Sequence, residues 1–202
     1  MINIKTILSV SVISLSLLFV GCGTSPKTQI YILNTIDQDT SVQETDAQSL
    51  VIKVGPVSIP DTLDQEPIVT RTGLNSLNAD EYNRWSGNFQ DDIQRTLGEN
   101  ISILLPNTQI VLGRETILVP IDYQVIINVR EFYGQLGDSV ILNASWTLAQ
   151  KNKKKKVVVS KKIVLKEKTQ GVEYRHYVAA QSRLLAKLSQ KIADEIKKQF
   201  VK

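Results

Sequence analysis

Apolar positions along this chain alternate with polar ones in some stretches and recur every three or four residues in others. The two periods predict strands and helices respectively. Ile30-Tyr31-Ile32-Leu33 reads as a first strand, and residues 35–49, polar and without period, as a loop. A second strand covers residues 50–57, ended by Pro56 and Pro60, because proline donates nothing to a sheet ladder. Residues 67–72 and 74–77, on either side of Gly73, read as a short hairpin near a sheet edge. Trp85, Phe89, Ile93, Leu97, Ile101 and Leu104 are spaced by four, four, four, four and three, which is one apolar stripe of a helix. Asp91 and Asp92 lie near its start, where carboxylates favour the helix dipole, and Pro106 stops it. Residues 110–112 read as another short strand.

The clearest strand pair follows. Ile121, Tyr123, Val125, Ile127 and Val129 alternate with mostly polar neighbours, as do Val140, Leu142, Ala144, Trp146 and Leu148. Gly134 and Gly137 between them mark a loose hairpin, and residues 157–165 complete a meander. The last element covers residues 173–200. Val178, Leu185, Leu188, Ile192, Ile196 and Phe200 form its inner stripe, with Ala179, Ala186 and Ala193 alongside and the cationic Lys197-Lys198 at its end. The fold class is therefore α/β: a two-layer domain, with a mixed, mostly antiparallel sheet and two long helices packed on it. No internal repeat is visible.

The first 24 residues follow neither period. Lys5 precedes an apolar run over residues 7–20, and small Gly21 sits directly before Cys22, the layout of a secretory signal peptide. The run is about 14 residues, short of the roughly 20 that a spanning helix needs. Phe19-Val20-Gly21-Cys22 resembles the lipobox of bacterial lipoproteins. In that class the Cys thiol receives a diacylglyceryl group, the chain is cut before it, and an N-acyl chain is usually added. An ordinary signal peptide with a chance cysteine, or an uncleaved anchor, is the alternative. The expected organisation is a cleaved signal over residues 1–21, the lipidated Cys22 and a short link over 22–28, and one domain over 29–202. At about 0.8 kcal/mol per buried methylene, two or three acyl chains make the anchor permanent. The seven linking residues reach roughly 25 Å, which holds the domain close to its membrane.

Without residues 1–21 the chain keeps 181 residues and 23 basic against 20 acidic side chains. A balance of +3 is too mild to argue for nucleic acid. Acylation of Cys22 leaves no thiol, which excludes disulfides, thiolate-bound metals and thiol nucleophiles. His176, the only histidine, lies between Arg175 and Tyr177 early in the last helix and reads as a surface or cap residue. The chain has no Gly-rich phosphate loop, no G-x-S-x-G elbow and no H-E-x-x-H. Adjacent Asp91 and Asp92 point apart on a helix. No catalytic residue, metal ligand or cofactor beyond the acyl groups is expected, and the chain does not read as an enzyme. Lys151-Asn152-Lys153-Lys154-Lys155-Lys156 reads as a solvated turn that discourages edge-to-edge pairing, with contact to anionic headgroups as its alternative. Aromatics are not interleaved there, so nucleic-acid stacking is not indicated. Trp85 and Trp146 read as core residues. Trp85, beside Arg84, is also near Pro60-Asp61-Thr62-Leu63 and Arg71, a mix that suits either a turn or a docking surface.

The motifs, taken in order, carry a resemblance. Tyr31-x-Leu33 precedes Val54-Gly55-Pro56-Val57-x-Ile59-Pro60-Asp61-x-Leu63 and Ile68-Val69-Thr70-Arg71. Tyr82-x-Arg84-Trp85 and Asp92-Ile93-Gln94-Arg95-x-Leu97-x-Glu99-Asn100 follow, then Leu142-x-Ala144-x-Trp146-x-Leu148 and Tyr177-Val178-Ala179-Ala180-x-Ser182. This series resembles the ABC-type transport auxiliary lipoproteins, which include the PqiC-like lipoproteins. The resemblance implies a non-enzymatic accessory of a mammalian-cell-entry (MCE) type system that moves lipid between the membranes of diderm bacteria. It implies an MCE-domain protein as partner, a membrane-bound position and a ring of copies. Gly23, not Asp, follows Cys22, which in such lipoproteins favours the periplasmic face of the outer membrane, with the outer leaflet of the inner membrane as the alternative. Pro60, Asp61, Leu63, Arg71, Arg84 and Trp85 are the candidate docking residues. A freestanding lipid- or peptidoglycan-binding envelope lipoprotein is the other reading.

Overall fold

The computed structural model describes residues 26–37, 50–113, 120–151 and 156–200. Cys22, the signal segment, most of the predicted 35–49 loop and the middle of the lysine-rich turn lie outside the described residues. In chain order the described elements are strands β1 (Gln29–Tyr31), β2 (Leu50–Ser58), β3 (Pro67–Gly73) and β4 (Ser76–Trp85), then helix α1 (Phe89–Leu104). Strands β5 (Thr108–Leu112), β6 (Tyr123–Gly134), β7 (Ser139–Gln150) and β8 (Lys156–Lys168) follow, and helix α2 (Tyr174–Phe200) closes the series.

The strands form two sheets, where one was expected. The larger has the order β5-β2-β6-β7-β8, with β2 parallel to both β5 and β6, and the β6-β7-β8 meander antiparallel. The smaller has the order β1-β4-β3, with β1 parallel and β3 antiparallel to β4. The longest pairings are antiparallel, and the α/β class with two helices packed on mixed sheets is as expected. Helix α1 lies over β2 and β5, α2 lies over β7 and β8, and the helices touch each other. The alternating inner residues of β6 and β7 meet the helical stripes in one core, with Trp146, Leu142, Leu148, Phe132, Ile93, Leu97, Leu185, Leu188 and Ile192 all buried. On α2 the buried stripe is wider than predicted and takes in Tyr177, Ala180, Gln181 and Leu184, while Ala179 and Ala186 are only half-buried.

Several boundaries differ from the sequence expectation: the first strand ends at Tyr31 rather than Leu33, and the second hairpin strand, expected over 74–77, is Ser76–Trp85. Pro56 does not end β2 but lies inside it, exposed. Strand β5 pairs only as far as Val54, and the β2–β6 ladder shifts register between Val54 and Val57. A missing donor at 56 therefore breaks no ladder bond. Beside it, Gly55 has φ +117°, a conformation open to glycine, and the Gln94 side chain of α1 occupies the space a Cβ would need. Trp85, expected as the first residue of the helical stripe, is the last residue of β4. The helix starts at Phe89, where the Asn88 side chain accepts from the Asp91 amide at 2.9 Å and caps it.

Candidate docking surface

The turn after β2 begins at Pro60, whose carbonyl accepts from the Leu63 and Asp64 amides at 2.8 and 3.2 Å. This folds Leu63 into the core at 2% exposure and leaves Asp61 in solvent. The Asp64 carboxylate accepts from Asn88 Nδ2 at 3.0 Å, tying the turn to the α1 cap. Next to it the Trp85 amide donates to the Glu66 carbonyl at 2.8 Å, and the Trp85 ring stacks on Phe89 at 4.1 Å. Phe89 stacks in turn on Phe132 at 5.8 Å, so Trp85 belongs to the core. Arg84 holds the rim, half-buried, with ion pairs to Glu66 at 3.0 Å and Glu81 at 2.7 Å. Pro60, Asp61 and Arg84 are thus the exposed or half-buried residues of one region, the turn after β2 and the adjoining end of β4, in which Leu63 and Trp85 are buried. Arg71 is not part of it. It faces Leu77 near the far end of β3, four residues beyond the Pro67–Arg84 pair, about 13 Å along the strand.

Arg71 organises a different place. Its guanidinium lies 4.9 Å from the Tyr133 ring centroid and 3.9 Å from Glu131, and it donates to the Leu74 carbonyl at 2.8 Å. It braces the β3–β4 turn against the end of β6.

Three polar constellations join the elements; several of their residues stand in the motifs quoted from sequence, but the pairings among them do not follow from it. The first holds residues 33–36, which carry the chain from β1 along the helices. The Leu33 amide donates to Asp92 at 2.9 Å, the Asn34 amide to Ser182 Oγ at 3.0 Å, and the Ile36 amide to Asn100 Oδ1 at 2.8 Å. Arg95 pairs with Asp92 and Glu99 and donates to the Leu33 carbonyl at 2.8 Å, while the Leu33 side chain is buried at 1% exposure. The second is Tyr177, fully buried on α2. Its hydroxyl accepts from the Gly134 amide of β6 and donates to the Val69 carbonyl of β3, both at 2.9 Å, which ties the two sheets together. Burial raises its pKa and keeps the phenol neutral. The third clamps edge strand β8 to α2. Glu167 pairs with Lys187 and Arg183, and Lys161 pairs with Glu195, which also meets Lys198. The Lys187 and Arg183 hydrogen bonds hold the Glu167 carboxyl below its usual pKa, and Lys161 and Lys198 do the same for Glu195.

Asp80 has a fourth, smaller role. Between Pro67, opposite Arg84, and Ile68, opposite Asp80, β4 carries extra residues as a bulge. The Asp80 carboxylate accepts from the Tyr82 and Asn83 amides at 2.8 and 2.9 Å and from the Tyr174 hydroxyl at 3.2 Å. Burial opposes its charge, but the hydrogen bonds from Asn83, Tyr82 and Tyr174 prevail and lower its pKa. His176 is half-buried at the start of α2, its amide bonded to the Glu173 carbonyl at 3.0 Å. Among the described residues no group of three or more His, Cys, Asp or Glu is placed to hold a metal ion. No described helix is long and apolar enough to cross a membrane.

Against known families, the model described as the ABC-type transport auxiliary lipoprotein component matches residues 31–193. The chain belongs to that family. It is a family of transport auxiliaries rather than a known family of enzymes, and its lipoprotein character implies a lipid-anchored place in the cell envelope. Comparison with curated protein sequences gave no match. Among solved structures, the crystal structure of an uncharacterised protein is similar at TM-score 0.69 and 20% identity, over 85% of this chain and 99% of that one. A Xanthomonas campestris protein is similar at TM-score 0.64 and 15% identity, over 86% and 100% of the two chains. At these identities the likeness shows the fold alone. The PelC dodecamer from Paraburkholderia phytofirmans is similar at TM-score 0.39 and 10% identity over 73% and 93%, too weakly to bear on this chain's assembly.

Proposed function

We propose that this chain is a membrane-anchored accessory of an MCE-type intermembrane lipid transport system, docking the periplasmic MCE assembly at the outer membrane. The family match over residues 31–193 carries the reading. The lipobox-like Phe19-Val20-Gly21-Cys22 supports the anchor. In this reading residues 1–21 are removed, Cys22 carries a diacylglyceryl group and an N-acyl chain, residues 22–28 are the tether and residues 29–202 the docking domain. Gly23 after Cys22 favours the outer membrane. The exposed or half-buried Pro60, Asp61 and Arg84 supply the docking patch, Leu63 and Trp85 set its shape from below, and Arg71 braces the neighbouring hairpin. Several copies form a ring around the end of the transport tube.

Mild cross-linking in cells, with the tagged lipoprotein as bait, tests this. The expected result is recovery of an MCE-domain protein and its permease, lost in a Cys22→Ala variant. Normal anchoring with no such partner, under conditions that capture other envelope complexes, overturns the proposal and leaves a freestanding lipid- or peptidoglycan-binding module. Pelleting with purified sacculi then identifies the wall-binding form of that module.

A further inference from the structure

The β3–β4 hairpin leaves the body of the protein beyond Arg71. Residues 72–79 are exposed on both faces of the ribbon, and Leu74 at its tip is 93% exposed. Leu77 and Tyr82 on β4 and Ile30 on the adjoining β1 are exposed as well. Four of the nine large apolar side chains exposed among the described residues thus lie on this small sheet or at its tip, Leu74 the most exposed of all. The tip is held, since Arg71 is fastened to Tyr133, Glu131 and the Leu74 carbonyl.

The tether points the same way. Strand β1 runs parallel to β4, with Gln29 opposite Asn83 and Tyr31 opposite Trp85. The chain that precedes Gln29 therefore leaves the sheet toward the hairpin tip, and residues 26–28, on that path, are exposed. From Gln29 back to Cys22 is seven residues, with a reach of roughly 25 Å. From Pro67, level with the start of β1, to Leu74 is also seven residues, about 23 Å of strand. Cys22 and the hairpin tip can therefore reach one plane on one side of the domain.

We infer that the β3–β4 hairpin tip, led by Leu74 and Leu77, rests on the bilayer that holds the Cys22 acyl chains, as a second membrane contact that orients the domain. This rests on the lipid-anchor reading of Cys22. The hairpin is tied to the end of the large sheet where β6 turns into β7. Lys151 and Lys156, at the other end of β7 about 36 Å along that strand, are then held away from the bilayer.

The test uses the full-length lipidated protein in vesicles of phosphatidylethanolamine and phosphatidylglycerol. Acylation blocks Cys22, so Leu74→Cys supplies the single free thiol for an environment-sensitive fluorophore, and Lys156→Cys supplies the comparison site. The label at 74 is expected to shift its emission to the blue and to be quenched severalfold by spin-labelled lipid, while the label at 156 stays in water. A protein that floats with the vesicles but keeps a water-exposed label at 74 overturns the inference alone. A label that becomes dry only as protein density on the vesicle rises is covered by a second copy, and also overturns it. A protein whose mature mass shows no acyl groups, and which does not float, removes the anchor and this inference together. Leu74 is so exposed that the substitution leaves the fold intact.

Discussion

Tyr177 shows how much one hydroxyl carries when both of its partners are backbone groups in different sheets. Both bonds, to the Gly134 N–H and the Val69 C=O, are buried, so water does not readily replace the phenol there. Position 134 also tolerates no side chain, because a Cβ there would stand 1.9 Å from the Ser139 carbonyl oxygen. Tyr177→Phe keeps the ring and removes only the oxygen, so two buried polar groups lose their partner. A loss of about 2–4 kcal/mol is expected, read as a lower midpoint in urea with an unchanged slope. Asp92 is the corresponding residue at the helix surface, joining the Leu33 amide to Arg95. Asp92→Ala is expected to cost about 2 kcal/mol and to speed hydrogen exchange at the Leu33 amide, while β6 and β7 stay protected. Sequence alone sets Asp92 at a helix start and Asn100 and Ser182 within family-like motifs, without naming a partner for any of them. The partners are backbone amides 59, 64 and 148 residues away, and no local pattern encodes that distance.

At the scale of elements, periodicity reports burial more faithfully than backbone conformation. Phe89 to Leu104 is helical as the stripe predicts, but Trp85 keeps the same four-residue spacing from the end of a strand. It reaches the core because the turn at Ser86-Gly87-Asn88 delivers it onto Phe89, and a burial pattern does not distinguish the two routes. Pro56 misleads for a similar reason, since the place where β5 stops pairing is a tertiary fact. The meander was legible because each of its strands pairs with its neighbour in sequence, whereas the division into two sheets depends on β1 and β4 meeting across about 50 residues. The edge strand β8 shows what charges contribute to such a sheet. Lysines along it discourage pairing with another edge, and the Glu167 and Glu195 clamps fasten it to α2. Both carboxyls titrate below the ordinary glutamate value of 4.5, so their contribution is complete above that value and is lost as pH falls through the lower folded value. Stability is expected to be flat from pH 5 upward with respect to these groups and to drop below pH 4.5. In a Glu167→Gln variant that drop is smaller, as urea midpoints measured across the range will read.

For the whole molecule, the decisive feature is where the fold takes hold of the chain that leads to the membrane. Residues 26–28 are exposed and precede the first strand, and up to that point the tether contributes little but reach. Within the next few residues the chain is fixed: Tyr31 bonds Asn83, the Leu33 side chain is buried, and three successive contacts run to Asp92, Ser182 and Asn100. These bonds go to both helices, so a load on the anchor passes first through β1 at the edge of the small sheet and then straight into the helical layer. A chain beginning at residue 29 is therefore expected to fold with the stability of the full mature protein. One beginning at residue 38 loses β1, the burial of Leu33 at about 2 kcal/mol, and bonds to groups on α1 and α2 that are then left unpaired. A loss of about 4 kcal/mol or more is a large share of the 5–15 kcal/mol typical of a domain, and the shorter chain is expected to unfold at a clearly lower urea concentration. Equal midpoints for the two chains would mean that residues 29–37 decorate the surface and that the anchor pulls on a free end. A wide separation would mean that tether and fold are one mechanical unit from β1 onward, which is what the proposed docking of a transport assembly at a bilayer requires.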